Sequence, residues 1–382
     1  MNRFGLAVLV LGLFPLSAGG QKWVEIRSPH FAVATDAGDS RGRDIALRFE
    51  QMRAIFGQLI SKDKVNTPVP LQIVAFRGSQ ELRRLAPLYN GKPVQLAGFF
   101  ARGDDRSYIG LDLSAENRWE AVFHEYAHSL LNGNYPPTDP WFDEGMAEYF
   151  STIQLASGMV ELGKAPADSL ELLQHTRWIP LAELFRVQPQ SRTYNEGDQR
   201  SMFYAESWVV VHYLETTQKM ASAAAYFDLV RSKRVPVEQA ITQAFGMAPP
   251  QLQKDIEKYL SSSRAVYRRY KLPLELESVH SYQSRSLPSI ESQAMLADFA
   301  VHSPGHEDQG IQELQQMVDH QPNDAPAQRS LGYAYLRKNN FAQAGAHFSR
   351  AAALDSKDPW VFYYSALLRS REALASGQKP PF

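Results

Sequence analysis

A chain of 382 residues, 44% hydrophobic and 21% charged, is long enough for two or three domains with substantial cores. Its 40 basic and 41 acidic side chains leave a net charge of −1, which excludes bulk electrostatic attraction to nucleic acid or to an anionic membrane. With no cysteine, the chain forms no disulfide and carries no lipid-attachment thiol.

Asn2-Arg3, an apolar run from Phe4 to Leu16 and then Ser17-Ala18-Gly19-Gly20 have the order of a secretory leader, expected over residues 1–20. The run is shorter than the ~20 residues of a comfortable membrane span, so the expectation is an exported protein, periplasmic or secreted. Retention as a signal anchor is the alternative; no stable span is expected after cleavage. Trp23 to Ile26 and His30 to Ala34 read as short strands. A helix with apolar positions Ile45, Leu47, Phe49, Met52, Ile55, Phe56 and Leu59 follows, then a strand at Pro70 to Phe76 and a short helix around Gln80 to Leu85. Gln95 to Ala101 and Ser107 to Leu113 are expected to pair as a hairpin about Arg102-Gly103-Asp104-Asp105-Arg106, read as a solvated turn.

The next segment carries the chemistry. His124-Glu125-Tyr126-Ala127-His128 lies in a stretch where Trp119, Val122, Phe123, Tyr126, Ala127, Leu130 and Leu131 form an apolar stripe at helical spacing, with Ser114 as a candidate cap. Residues four apart share a helix face, so His124 and His128 can direct imidazole nitrogens at one ion. A hydrolytic zinc site takes three protein ligands and leaves a position for water. Glu144 is the chosen third ligand, on a second helix expected to start at Asp139-Pro140 and run through Phe150. Glu125 is then free to take a proton from the attacking water and pass it to a leaving amine. Glu148, one turn from Glu144, suits the outer nitrogen of a ligating histidine. One Zn2+ per chain is expected, although manganese or cobalt can use the same ligands.

Residues 154–270 read as helical, broken by Pro180, Pro189 and Pro236, with Arg264, Arg268, Arg269 and Lys271 as a solvated cluster at a helix end. Residues 273–290, rich in serine with Pro273 and Pro288, read as a linker. The chain is thus expected to be α+β: a domain over 21–272 with a mixed sheet and a helical subdomain, then an all-α segment over 291–382. In that segment Leu331-Gly332, Tyr335, Ala344, Phe348, Ala351 and Pro359 fall at the spacing of tetratricopeptide repeats, which it resembles, with a weaker copy 34 residues earlier at Ala297, Gly310, Leu314, Met317 and Pro322. Such repeats over 291–376 imply a surface for a protein partner.

The pentad followed by Asp143-Glu144-Gly145-Met146-Ala147-Glu148 resembles the gluzincin metallopeptidases, whose third ligand is the glutamate of an Asn-Glu-Gly-type motif; aspartate here stands in place of asparagine. Fifteen residues lie between His128 and Glu144, fewer than in aminopeptidase-N-like members and in keeping with the looser peptidase MA-like group. No Gly-x-Met-Glu-Asn motif precedes the pentad, so the resemblance does not support amino-terminal trimming. The resemblance implies a zincin-like fold, a peptide or protein substrate, and a downstream tyrosine that stabilises the oxyanion. Tyr204, opening Tyr204-Ala205-Glu206-Ser207-Trp208, matches that element, with Tyr194 and His212 as fallbacks. It also implies an exposed sheet edge beside the metal helix, to which Tyr108 to Leu113 corresponds unless that strand is interior. The rival reading is a catalytically silent scaffold that binds partners through its repeats.

Overall fold

A computed structural model describes residues 22–61, 65–67, 69–89, 91–116, 118–156, 159–191, 197–262, 267–271, 279–354 and 357–376. The expected leader lies outside them. No helix among the described residues is long and apolar enough to cross a membrane.

β1 (Trp23–Arg27) and β2 (Ala32–Thr35) are antiparallel, α1 (Asp39–Phe56) crosses over, and β3 (Leu71–Phe76) joins β2 in parallel. After α2 (Ser79–Arg83) and a small hairpin of β4 (Leu88–Tyr89) and β5 (Lys92–Pro93), β6 (Gly98–Ala101) and β7 (Ser107–Asp112) form the expected antiparallel hairpin. β7 also pairs in parallel with β3, so it has a neighbour on both sides and is buried throughout. The edge strand is therefore β6, not Tyr108 to Leu113. Leu71-Gln-Ile-Val-Ala-Phe76 is nearly all apolar, a pattern that demands cover on both faces of the sheet. Ile73 and Ala75 face one side with Ile26, Val33, Ile109 and Leu111; Val74 and Phe76 face the other with Trp23 and Tyr108.

The first face is covered by α1 and by α3 (Arg118–Asn134), whose Phe123 and Tyr126 pack edge-on against Phe49 of α1 at 5.6 and 5.4 Å. Ser114 does not cap α3; its hydroxyl donates to Asp112 Oδ1 at 2.6 Å and closes a turn ahead of the helix. α4 (Pro140–Ser151) opens with proline after Asp139, as expected. Residues 154–270 are not helical throughout, because β8 (Gln154–Ala156), β9 (Met159–Leu162) and β10 (Arg268–Lys271) form a three-stranded antiparallel sheet. Buried Val160 and Leu162 alternate with half-buried neighbours over too few residues for the period of two to stand out. Arg268, Arg269 and Lys271 accordingly lie on a strand: Arg269 pairs with Glu161 at 2.8 Å and Arg268 donates to the Thr216 carbonyl at 2.9 Å. Arg264 lies outside the described residues. Between these strands come α5 (Ala167–His175), α6 (Leu181–Leu184), α7 (Gly197–Thr216), α8 (Met220–Phe227), α9 (Val237–Phe245) and α10 (Pro249–Ser262).

The expected linker is structured where it is described: β11 (Gln283–Leu287) extends the sheet antiparallel to β1, giving the order β11-β1-β2-β3-β7-β6. α11 (Ser289–His302) then covers the second face, with Phe299 stacked on Tyr108 at 4.7 Å and on Phe99 at 5.3 Å. α12 (Glu307–His320), α13 (Ala325–Arg337), α14 (Phe341–Ala353) and α15 (Pro359–Ala375) follow, with α12 and α14, and α13 and α15, starting 34 residues apart. Gly332 is required there: a Cβ would stand 2.7 Å from the Phe348 ring. The fold is mixed α/β with a helical carboxy-terminal region that serves as a layer of the sheet domain.

The turn at 102–106 is only partly solvated: Arg102 and Asp104 are exposed, whereas Asp105 is buried and makes the turn the docking point for that region. Asp105 is fully buried, with Oδ1 3.1 Å from His302 Nε2 and Oδ2 accepting from Arg329; Asp104 N donates to the Tyr333 hydroxyl at 3.1 Å. Asp298 accepts from the Tyr108 hydroxyl at 2.5 Å and faces Arg329 and Arg106 at 3.6 and 3.7 Å. Burial alone would raise the Asp298 pKa, but His302, Arg329 and Arg106 outweigh it and hold the carboxyl below its ordinary 3.8. Burial alone would lower that of His302, but Asp298 and Asp105 raise it above 6.5. The Asp298 contribution to stability is present above 3.8 and lost as pH falls through its folded value, while the His302 contribution is complete below 6.5 and lost as pH rises through its folded value. Both are complete between 3.8 and 6.5. Asp298→Ala removes the buried carboxylate that accepts from Tyr108 and faces Arg106, Arg329 and His302, while Arg329 keeps Asp105 and Asp358, so urea unfolding should register a loss of about 3 kcal/mol in that window.

Candidate metal centre

α3 turns Val122, Phe123, Tyr126, Ala127, Leu130 and Leu131 into the core. That leaves Ala121, His124, Glu125 and His128, at helical spacing, on the margin of a cleft of about 630 Å3. α4 faces α3 across it, and α7 closes the back. Glu144 and Glu148, one turn apart on α4, both reach the cleft.

Glu144 Oε2 lies 3.3 Å from His124 Nε2 and 3.3 Å from His128 Nε2, and the two nitrogens are 3.2 Å apart. Zinc with ligand distances near 2.05 Å in a tetrahedron requires ligand atoms about 3.3 Å from one another, the ligand length multiplied by about 1.63. The three atoms thus form one face of such a tetrahedron, its fourth corner directed away from them. Among the described residues these three form the one group of histidine and carboxylate side chains with metal-ligand proximity. His124 Nδ1 is 3.3 Å from Glu148 Oε1, so Glu148 occupies the expected position behind the histidine.

Without a metal the same atoms hold a proton. Burial opposes charge on His124, but Glu144 and Glu148 outweigh it and push the imidazole up to about 10. Burial likewise opposes charge on Glu144, and hydrogen bonds from both histidines hold its carboxyl well below the usual range. Glu120, on the rim, is pushed up by burial and by the neighbouring carboxylates of Glu148 and Asp168.

Gly145 decides how closely α4 and α7 approach. A Cβ at that position would stand 2.3 Å from the Ser207 carbonyl oxygen and 2.6 Å from Val211 Cγ2. This contact sets α7 against the ligand helices and brings Tyr204 into the cleft, its ring centroid 6.2 Å from that of His124. Of the fallbacks, Tyr194 lies outside the described residues. His212 is buried away from the cleft, with Nδ1 2.7 Å from the Tyr259 hydroxyl and its ring against Trp208 at 5.1 Å. Sequence reasoning missed Arg102, which lines the cleft from the end of β6. The available signal was the alternation Gly98, Phe100, Arg102, which puts all three on one side of a strand.

Residues 119–238 match a family model described as a protein of unknown function, DUF1570, and that span includes the pentad, Glu144, Glu148 and Tyr204. No curated protein matches the chain.

Gly145→Ala tests the helix contact by the sign of its effect. Alanine in a helix interior ordinarily gains up to about 1 kcal/mol over glycine. Overpacking against a backbone carbonyl should instead give a net loss of about 1–3 kcal/mol, read by thermal or urea unfolding.

Proposed function

We propose that this chain is an exported, zinc-dependent peptidase of gluzincin type, with a zincin-like domain that a tetratricopeptide-like tail completes. The observation that carries the reading is the triangle of His124, His128 and Glu144 with edges of 3.2 to 3.3 Å. It is supported by Glu148 at His124 Nδ1, by Glu125 beside the first ligand, and by Tyr204 across the cleft.

His124, His128 and Glu144 would hold the ion. Bound zinc supplies Lewis acidity, which makes water nucleophilic near neutral pH. Glu125 takes a proton from the attacking water and delivers it to the leaving amine, so the peptide nitrogen departs neutral. Glu148 keeps the Nδ1 proton of His124, which leaves Nε2 free as a donor to the ion. The Tyr204 hydroxyl donates to the oxygen on which negative charge develops, a contribution of ~2–4 kcal/mol to the barrier. β6 presents an open sheet edge flanked by Ala97 and Arg102, both of which line the cleft. An extended peptide added there gains backbone hydrogen bonds whatever its sequence.

The scaffold reading draws on Phe362, Tyr363, Leu367 and Leu374, which are exposed along α15 and suit a protein partner. Turnover separates the two readings. Purified protein should carry one zinc per chain and cleave a broad peptide library; His128→Ala should lose the metal, whereas Glu125→Gln should keep it and lose at least ~10²-fold in kcat. Full hydrolysis by metal-loaded Glu125→Gln would show the mechanism to be wrong. Zinc binding with no turnover of any peptide would favour the scaffold.

A further inference from the structure

The charged side chains around the cleft are mostly acidic. Glu120, Glu125, Glu144 and Glu148 line it, and Arg102 is the one lysine or arginine that does so among the described residues. Arg102 is exposed and forms no hydrogen bond or ion pair with a described residue, although four carboxylates share its cleft; its guanidinium stands 5.8 Å from the centroid of the Phe100 ring.

The backbone at Arg102 is held from both sides. Ala101, the preceding residue, pairs with Tyr108 in the ladder. Gly103, the next, is pressed against α11, where a Cβ would stand 2.4 Å from His302 Cδ2, and Asp104 and Asp105 are tied to Tyr333, His302 and Arg329. Gly98, Phe100 and Arg102 share the side of β6 that α3 covers, since a Cβ on Gly98 would stand 2.4 Å from Val122 Cγ1. Arg102 thus has a rigid root and a free guanidinium at one end of the edge strand. A surface arginine that only solvates a turn has no reason to be fixed in this way, and one that served the fold would be paired.

We propose that Arg102 is a specificity-determining residue that binds a carboxylate of the substrate, either an acidic side chain or the free carboxy terminus of a peptide. This rests on the peptidase reading. A guanidinium offers paired donors matched to the two oxygens of a carboxylate. Extended peptide rises about 3.3 Å per residue, so the strand from Ala97 to Arg102 spans about five substrate positions, and the carboxylate is read within a few residues of the scissile bond. The preference runs against the general field of the cleft, whose carboxylates favour basic peptides everywhere except beside Arg102.

The test uses zinc-loaded protein and fluorogenic peptides that differ only in Glu, Gln or Lys at each position around the cleavable bond, each made as free acid and as amide. Wild type should prefer Glu to Lys at one position, or free acid to amide. In Arg102→Glu the ratio of kcat/KM values should fall by about tenfold or more, through lost attraction and added repulsion. The arm that responds identifies the source of the carboxylate. Anisotropy binding of the same labelled peptides to Glu125→Gln and to Glu125→Gln/Arg102→Glu separates this inference from the peptidase reading. If wild type cleaves nothing yet Glu125→Gln binds acidic peptides more tightly and the double variant does not, the peptidase reading fails and the role of Arg102 stands. Cleavage or binding indifferent to peptide charge, or a ratio unchanged by Arg102→Glu, overturns it.

Discussion

The centre depends on how closely α4 can approach α7, and Gly145 sets that distance. The glycine lies between Glu144 and the rest of the motif, with the Ser207 carbonyl where its Cβ would be. Because Glu144 and Glu148 stand on one of these helices and Tyr204 on the other, a single backbone contact determines the gap between the ligand side and the tyrosine side of the cleft. Buried aromatic packing then fixes α4 from behind, where Trp141 stacks on Phe185 at 4.0 Å with the rings within 6° of parallel. Ligand precision of a few tenths of an ångström needs such support, since loosely packed helices slide by more than that.

The same packing makes the centre electrostatically demanding. Two imidazoles and a buried carboxylate meet within 3.3 Å, and Glu148 adds a second carboxylate behind them. A proton on His124 balances part of that charge in the metal-free protein, which is why its pKa lies near 10 despite burial. A divalent cation meets the need more fully, because it accepts three lone pairs at once where a proton serves one or two. A metal bound there would have to displace the proton from His124, which would couple its affinity to pH.

The two helices of the candidate centre were legible in the sequence because their signals are local: an apolar stripe at helical spacing, Asp139-Pro140 at a helix start, and histidines four residues apart. The first half of the sheet was legible for the same reason, from runs such as Leu71 to Phe76. The losses were at contacts between distant segments. β11 carries Gln283-Ser-Arg-Ser-Leu287, mostly exposed, and resembles a linker because its value lies in backbone pairing with Trp23–Arg27. Asp105, in a glycine-containing turn, looks solvated until His302 and Arg329, some 200 residues on, are brought over it. Whether β7 was an edge or an interior strand stayed open, because nothing in Tyr108 to Leu113 says how many neighbours it has.

The tail is therefore part of the sheet domain rather than an appendage. β3 and β7 are apolar on both faces, and α11 supplies the second cover through Phe299 and Ala300. Without it the sheet would expose Trp23, Val74, Phe76 and Tyr108 to water, a cost of several kcal/mol at about 25 cal/mol per Å2 of apolar surface. The same helix holds the turn that follows β6, through His302 against Gly103 and Asp105. Edge strand, turn and tail thus form one continuous support, in which the helices that cover the sheet from behind also fix the strand that borders the cleft in front.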